Sequence, residues 1–429
     1  MFKKIKQFIA KVTKLDIVKV FSFTSLSTLV KMLTGFISVK VVAVIIGPAG
    51  VALVGQLNNF ASIIMTLANG GITSGVTRNI AAFKDNDEVI KGYIGTSVKI
   101  TSVLSALCGI FLILFSRYLC NFILHSDEYA YVFIIFGVTL SFYALNTLIM
   151  AVINGYKYFQ LYVKISMISS VVGLGISLLL VSALGVPGAL INAVTSQTFI
   201  FIVTMIFLWK NKMPFVSLKW LLARFDYSKM LNLVKFSLMT LVTAFCGPVV
   251  QLVIRNHIIN TMSIETAGCW EGMNRLSGMY LMVITSSFGV YYMPRLAELK
   301  DSKDLKHEIL TAYKVIVPCL LVGFTLVYLM RNFIINILFS PDFYQMKDLF
   351  LWQLLGDFFK ITSWLLAYVM SAKAMMKAFI TTEILFNGLY IVFALLCSYF
   401  WGVSGVIIGY MINYICYLFT MYFLIWRRI

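Results

Sequence analysis

From 130 to 154 the chain reads AYVFIIFGVTLSFYALNTLIMAVIN, without one charged residue. At about 1.5 Å per residue, such a run crosses the roughly 30 Å hydrocarbon layer of a bilayer as a single helix. Runs of this kind recur along the whole chain, and no short alternating strands lie between them, which excludes a membrane β-barrel. Hydrophobic residues make up 60% and charged residues only 12% of the sequence. A water-soluble fold cannot hide that much apolar surface, so the sequence is that of an all-α polytopic membrane protein.

The pattern predicts twelve spans, at 19–45, 52–82, 92–115, 130–154, 161–183, 187–209, 231–258, 266–294, 308–330, 348–371, 377–400 and 404–426. An even count leaves both termini on one side. With that side cytoplasmic, nearly all loop Lys and Arg fall on the inner face, and only Arg117, Arg331 and Lys347 fall outside. The net charge of +18 is therefore a topology signal spread between spans rather than a nucleic-acid surface. Residues 1–18 repeat Phe2, Ile5, Ile9 and Val12 at helical spacing among lysines, as in a basic amphipathic segment on an anionic leaflet. The lysines also interrupt any signal-peptide core.

The chain resembles itself at an offset near half its length. SLSTLV (25–30) matches SLMTLV (237–242), and RYLCNFILHSDEY (117–129) matches RNFIINILFSPDF (331–343). VTRNIAAFK (76–84) aligns with MPRLAELK (293–300), and LGVPGALI (184–191) with WGVSGVII (401–408). An even number of spans per half gives parallel repeats, hence two pseudo-symmetric six-helix lobes: an N-lobe at 19–209 and a C-lobe at 231–429. Residues 210–230 between them alternate apolar and basic residues, as an interfacial linker helix does. Two lobes with a shared cleft imply alternating access and a transporter rather than an enzyme. No Walker A run occurs, and no large loop could house a catalytic domain. The seven cysteines lie singly and the three histidines lack metal-ligand spacing, so no metal or other cofactor is expected. Coupling to protons or sodium stays open.

Lys31, Lys40, Lys99, Arg255, Arg275 and Lys360 fall inside the spans, as do Glu271, Asp357 and Glu383. A charge at the bilayer centre costs about 2.5–3.5 kcal/mol on insertion scales, so it faces protein or water. Lys99 lies close enough to the inner face to snorkel, and Lys40 and Arg255 lie toward outer ends where snorkelling competes with function. Lys31, Arg275 and Lys360 are deeper and suit a cavity wall. Lys31 and Lys40 are half a turn out of phase, which favours Lys31 for any one cleft. Glu271 can pair with Arg275 at i,i+4, and Asp357 is either the counter-ion of Lys360 at i,i+3 or a titrating coupling group. The surplus of cations favours an anionic substrate, with phosphate as the chemical match.

STLVKMLTGFISVKVVAVIIGPAGVALVGQ (27–56), SGVTRNIAAFKDN (74–86), SSFGVYYMPRLAEL (286–299) and KDLFLWQLLGDFFK (347–360) resemble the Wzx flippases. These belong to the multidrug/oligosaccharidyl-lipid/polysaccharide exporter (MOP) superfamily, and the similarity to the enterobacterial common antigen branch runs nearly end to end. The resemblance implies a MATE-like, V-shaped pair of lobes around a cationic cavity. It implies flipping of an undecaprenyl-pyrophosphate-linked oligosaccharide, such as an O-antigen repeat unit, across the bacterial inner membrane. A polysaccharide polymerase and a chain-length regulator come with that setting as partners. The positions carried over are Lys31, Lys40, Arg78, Asp357 and Lys360, with Arg255 at a position where the family has an arginine. Arg275 rests on charge and depth alone. Trp270, Tyr280 and Gln353 could touch sugar, with packing as the alternative. The competing readings are a MATE-like cation-coupled drug exporter, which would want acidic cavity residues, and a membrane-embedded polysaccharide polymerase.

Overall fold

A computed structural model describes residues 16–83, 86–211, 213, 223–299, 301–373 and 375–426. The basic segment expected at 1–18 lies almost wholly outside these residues, and so does about half of the linker helix expected at 210–230.

Every described element is helical. In chain order they are α1 (Asp16–Ala68), α2 (Thr73–Ala82), α3 (Asp87–Leu114), α4 (Ser116–Leu124), α5 (Ala130–Gly155), α6 (Phe159–Leu184) and α7 (Val186–Lys210). Then follow α8 (Tyr227–Thr261), α9 (Ile264–Ser287), a π turn (Phe288–Tyr292), α10 (Met293–Glu298), α11 (Ser302–Leu329) and α12 (Arg331–Leu338). A 3-10 stretch (Pro341–Leu349), α13 (Phe350–Ala372), α14 (Met376–Met421) and a terminal π turn (Tyr422–Trp426) complete the chain.

Eight described helices are long and apolar enough to cross a membrane. Two of these are double: α1 breaks at Gly47, where φ is 65°, and α14 breaks at Trp401 and Gly402. α9 and α13 fall outside those eight because polar residues interrupt them: Glu271 and Arg275 in the first, Asp357 and Lys360 in the second. Dividing the double helices and adding these two restores twelve spans. The expected span at 52–82 is corrected, because Gly70 and Gly71 take φ of 60° and 64° and end α1 before α2 begins. Among the described residues, all glycines with positive φ sit at such helix joins.

The repeat is visible in backbone geometry. Gly185 precedes α7 with φ 61° and ψ −129°, and Gly402 breaks α14 with φ 54° and ψ −137°. Three residues after each, Gly188 lies against the Leu180 carbonyl and Gly405 against the Cys397 carbonyl, so closely that a side chain there would collide. The short α4 after α3 and the short α12 after α11 likewise fall on the matched sequences.

By contact the chain divides into two compact units, one of 1–38 and 63–241, the other of 39–62 and 242–429. In the first, Ile72, Val76, Ile80, Ile94, Val152 and Leu233 share a buried cluster. α3 meets α5 through small groups, including a Ser105–Ser141 hydroxyl contact of 3.2 Å. The start of α8 is tied to α3: the Asp226 amide donates to Thr96 Oγ1 at 3.1 Å, and Lys229 pairs with Asp226 at 3.0 Å. In the second unit, Leu281, Phe288, Leu305, Ile361, Leu365 and Met421 centre the core. Lipid is as apolar as these side chains, so close packing and interhelical hydrogen bonds, rather than water exclusion, hold such helices together. Leu114, Leu179 and Phe400 are left on the outside, as lipid-facing residues are, and Trp209 and Tyr399 lie exposed near helix ends, where interfacial aromatics belong.

Candidate functional site

The polar residues that interrupt α9 and α13 gather into two clusters, both inside the second unit. The first is built on a guanidinium. Arg255 of α8 is 0% exposed, and one Nη pairs with Glu271 Oε2 of α9. Its other Nη donates to Gln56 Oε1 at 3.1 Å, and its guanidinium carbon stands 5.4 Å from the Trp270 ring. With its amide oxygen turned toward the guanidinium, Asn59 accepts from both Nη atoms at 3.0 and 3.1 Å. Glu271 uses its second oxygen to accept from Arg275 Nε at 3.0 Å, so the i,i+4 pair readable in the sequence is formed. One carboxylate thus serves two guanidiniums. Arg275 Nη2 and the neighbouring Asn274 Nδ2 are buried donors with no acceptor among the described residues.

The second cluster surrounds Asp357 of α13, also 0% exposed. Ser277 Oγ donates to Oδ2 at 2.7 Å, Gln353 Nε2 donates to it at 3.2 Å, and the Tyr280 hydroxyl donates to the same oxygen. The Tyr410 hydroxyl of α14 donates to Oδ1 at 2.7 Å. Of the two readings left open for Asp357, the contact pair is not formed: Asp357 and Lys360 make no ion pair, and the carboxylate accepts from these four donors. The Lys360 ammonium lies instead over three rings, 5.2 Å from Trp364, 5.3 Å from Tyr410 and 5.1 Å from Tyr414. Desolvated contacts of this kind are worth up to about 2 kcal/mol each.

The remaining candidates lie outside these two clusters. Lys31 and Arg78 are exposed in the first unit, and Lys40 is exposed on the part of α1 that belongs to the second. Trp270, Tyr280 and Gln353, weighed above as sugar contacts, are all used internally: the first beneath Arg255, the other two on Asp357. Sequence reading missed Gln56, Ser277 and Tyr410. The tyrosines 410, 414 and 417 recur at helical spacing, which marks one aromatic face of α14, but nothing local links that face to Asp357.

Two curated relatives match along nearly the whole chain. The lipid III flippases of Escherichia coli (strain K12) and Shigella flexneri are each 29% identical over 416 residues, covering 96% of this chain and 100% of theirs. Solved structures share the fold at low identity. The lipid II flippase MurJ in an inward closed conformation aligns at 13% identity with TM-score 0.76, covering 94% of this chain and 87% of that one. An inward-facing multidrug resistance MATE family transporter of the MOP superfamily aligns at 12% identity with TM-score 0.73, covering 92% and 94%. The fold is therefore the all-helical one of that superfamily. The family described as polysaccharide biosynthesis protein matches residues 17–300, well over half of the sequence, and the chain belongs to it.

Proposed function

We propose that this membrane protein is a flippase that carries a lipid-linked glycan across the bilayer and catalyses no covalent step. The observation that carries the reading is the end-to-end similarity to two proteins named lipid III flippase. In its finer form, the cargo is an O-antigen repeat unit or a close analogue on undecaprenyl pyrophosphate. It moves by alternating access from the inner to the outer leaflet of the bacterial cytoplasmic membrane, with both chain termini cytoplasmic. A polysaccharide polymerase and a chain-length regulator are the partners that this reading brings.

In this reading Lys31, Lys40, Arg78, Arg275 and Lys360 supply the cationic character that meets the diphosphate. The open donors of Arg275 and Asn274 support it, since phosphate and sugar oxygens are acceptors. Arg255 enters the proposal as a strut, its charge taken up by Glu271. The drug-exporter reading wants free acids for a cationic cargo, whereas Glu271 and Asp357 are each engaged by several donors.

The test is deletion of the gene in its own host, followed by mass spectrometry of the lipid fraction. The expected result is accumulation of an undecaprenyl-pyrophosphate-linked glycan together with loss of the corresponding surface polysaccharide. Unchanged lipid intermediates and normal surface polysaccharide would sink the reading.

A further inference from the structure

We propose that Asp357 is a positioning residue that acts on Lys360 through Tyr410, and is not its contact counter-ion. The inference deepens the flippase reading and rests on it in one respect: Lys360 is the group taken to meet the substrate.

Three residues of one turn of α13 build the device. Gly356 comes first. A Cβ there would stand 2.5 and 2.7 Å from two ring atoms of Tyr410, so only a bare Cα lets that ring lie flush on the helix. Asp357 comes next, and its Oδ1 accepts the Tyr410 hydroxyl at 2.7 Å, which fixes the ring's rotation. Lys360 follows one turn on, with its ammonium 5.3 Å from the centre of the same ring. Tyr414 and Trp364 close the cradle. Tyr410 stacks edge-on with both Tyr390 and Tyr414, at 5.4 and 4.9 Å, so a shift of Tyr410 is felt across the aromatic face. The glycine seats the ring, the aspartate hooks it, and the lysine rests on it.

All four partners are placed to donate to this carboxylate, three on Oδ2 and one on Oδ1, and Gln353 Nε2 can do nothing else. The Lys360 ammonium rests on the rings and not on the carboxylate. An ammonium held by rings instead of by an anion can leave for a phosphate without leaving a bare carboxylate behind. Glu383 is the other acid near enough to act on Lys360 electrostatically.

The test reads Lys360 itself, without substrate. The full chain in detergent is pulsed with an amine-labelling reagent, and labelling of Lys360 relative to the exposed Lys303 is measured by mass spectrometry. Tyr410→Phe keeps the ring and the Asp357 charge and cuts only the hook. It is expected to raise Lys360 labelling by about threefold, the scale of one loosened cation–π contact. Asp357→Asn is expected to raise it as well, and the double variant no further than the larger single effect. Wild-type labelling in Tyr410→Phe, or additive effects in the double variant, would overturn the route through Tyr410. Should Asp357→Asn fail to fold, Ser277→Ala takes its place. That variant removes a donor but leaves the hook, so its labelling should match wild type, and a rise equal to that of Tyr410→Phe would overturn the proposal. In reconstituted flipping, Tyr410→Phe should raise the half-saturating substrate concentration more than it lowers the maximal rate. A Lys360→Met variant that flips normally would remove the substrate role of Lys360 and leave the labelling result to stand by itself.

Discussion

Replacing Glu271 by Gln keeps the shape of the first polar cluster and removes its charge. Arg255 is 0% exposed and draws its compensation from Glu271, Gln56, Asn59 and the Trp270 face. Of these, only Glu271 is ionised. Removing one partner of a buried pair typically costs about 3–5 kcal/mol, because the other charge stays behind unpaired. Gln keeps one acceptor oxygen, so only one of the two guanidiniums loses its hydrogen bond, and Arg275, with its side chain 19% exposed against 1% for Arg255, adds less to the cost. A loss of about 3–5 kcal/mol is a large part of a typical folding stability. The purified variant should therefore melt well below wild type in a detergent thermal-shift assay. Adding Arg255→Met to Glu271→Gln removes the orphaned charge and should recover most of the loss. A single Glu271→Gln variant as stable as wild type would refute the reasoning, and so would a double variant no better than the single.

Gly402→Ala forces a side chain onto φ 54° and ψ −137°, and Gly185→Ala does the same at the matched join. Each should cost about 1–3 kcal/mol, read as a lower melting temperature, and equal losses at the two sites would reflect the repeat. Charge reversal by Lys31→Glu or Lys360→Glu should abolish surface polysaccharide while protein levels, followed by immunoblot, stay normal. At the N-terminal end of α8, a hydrogen bond from Lys229 holds the Asp226 carboxyl below its ordinary range. The resulting stabilisation is complete above the unfolded aspartate value of about 3.9 and disappears as pH falls through the lowered folded value. Wild type should thus melt slightly above Asp226→Asn at neutral pH, and the gap should narrow as pH falls below about 3.9.

The features legible in the sequence are those whose causes are local. Apolar run length is set by bilayer thickness, so the twelve spans could be read directly. LGVPG and WGVSG carry the same backbone join in the same words. Glu271 and Arg275 are a turn apart on one helix and meet as the spacing implies. Spacing misled where a tertiary partner intervened. Asp357 and Lys360 are also a turn apart, yet Ser277, Tyr280, Gln353 and Tyr410 reach the carboxylate first. Tyr410 comes from another helix, and no pattern within either segment announces the contact. Gln56 and Arg255 likewise meet only through folding. The break at Gly70 and Gly71 was hidden because the apolar run continues across it, although two adjacent glycines are its signature.

The flippase reading is tested by reconstituting the purified protein in vesicles carrying an undecaprenyl-pyrophosphate-linked glycan, and measuring its appearance in the opposite leaflet with a membrane-impermeant lectin or hydrolase. Wild type should transfer the lipid far faster than protein-free vesicles, and Lys360→Glu should fall to the protein-free rate. Transfer by wild type no faster than in protein-free vesicles, or full transfer by Lys360→Glu, would contradict it.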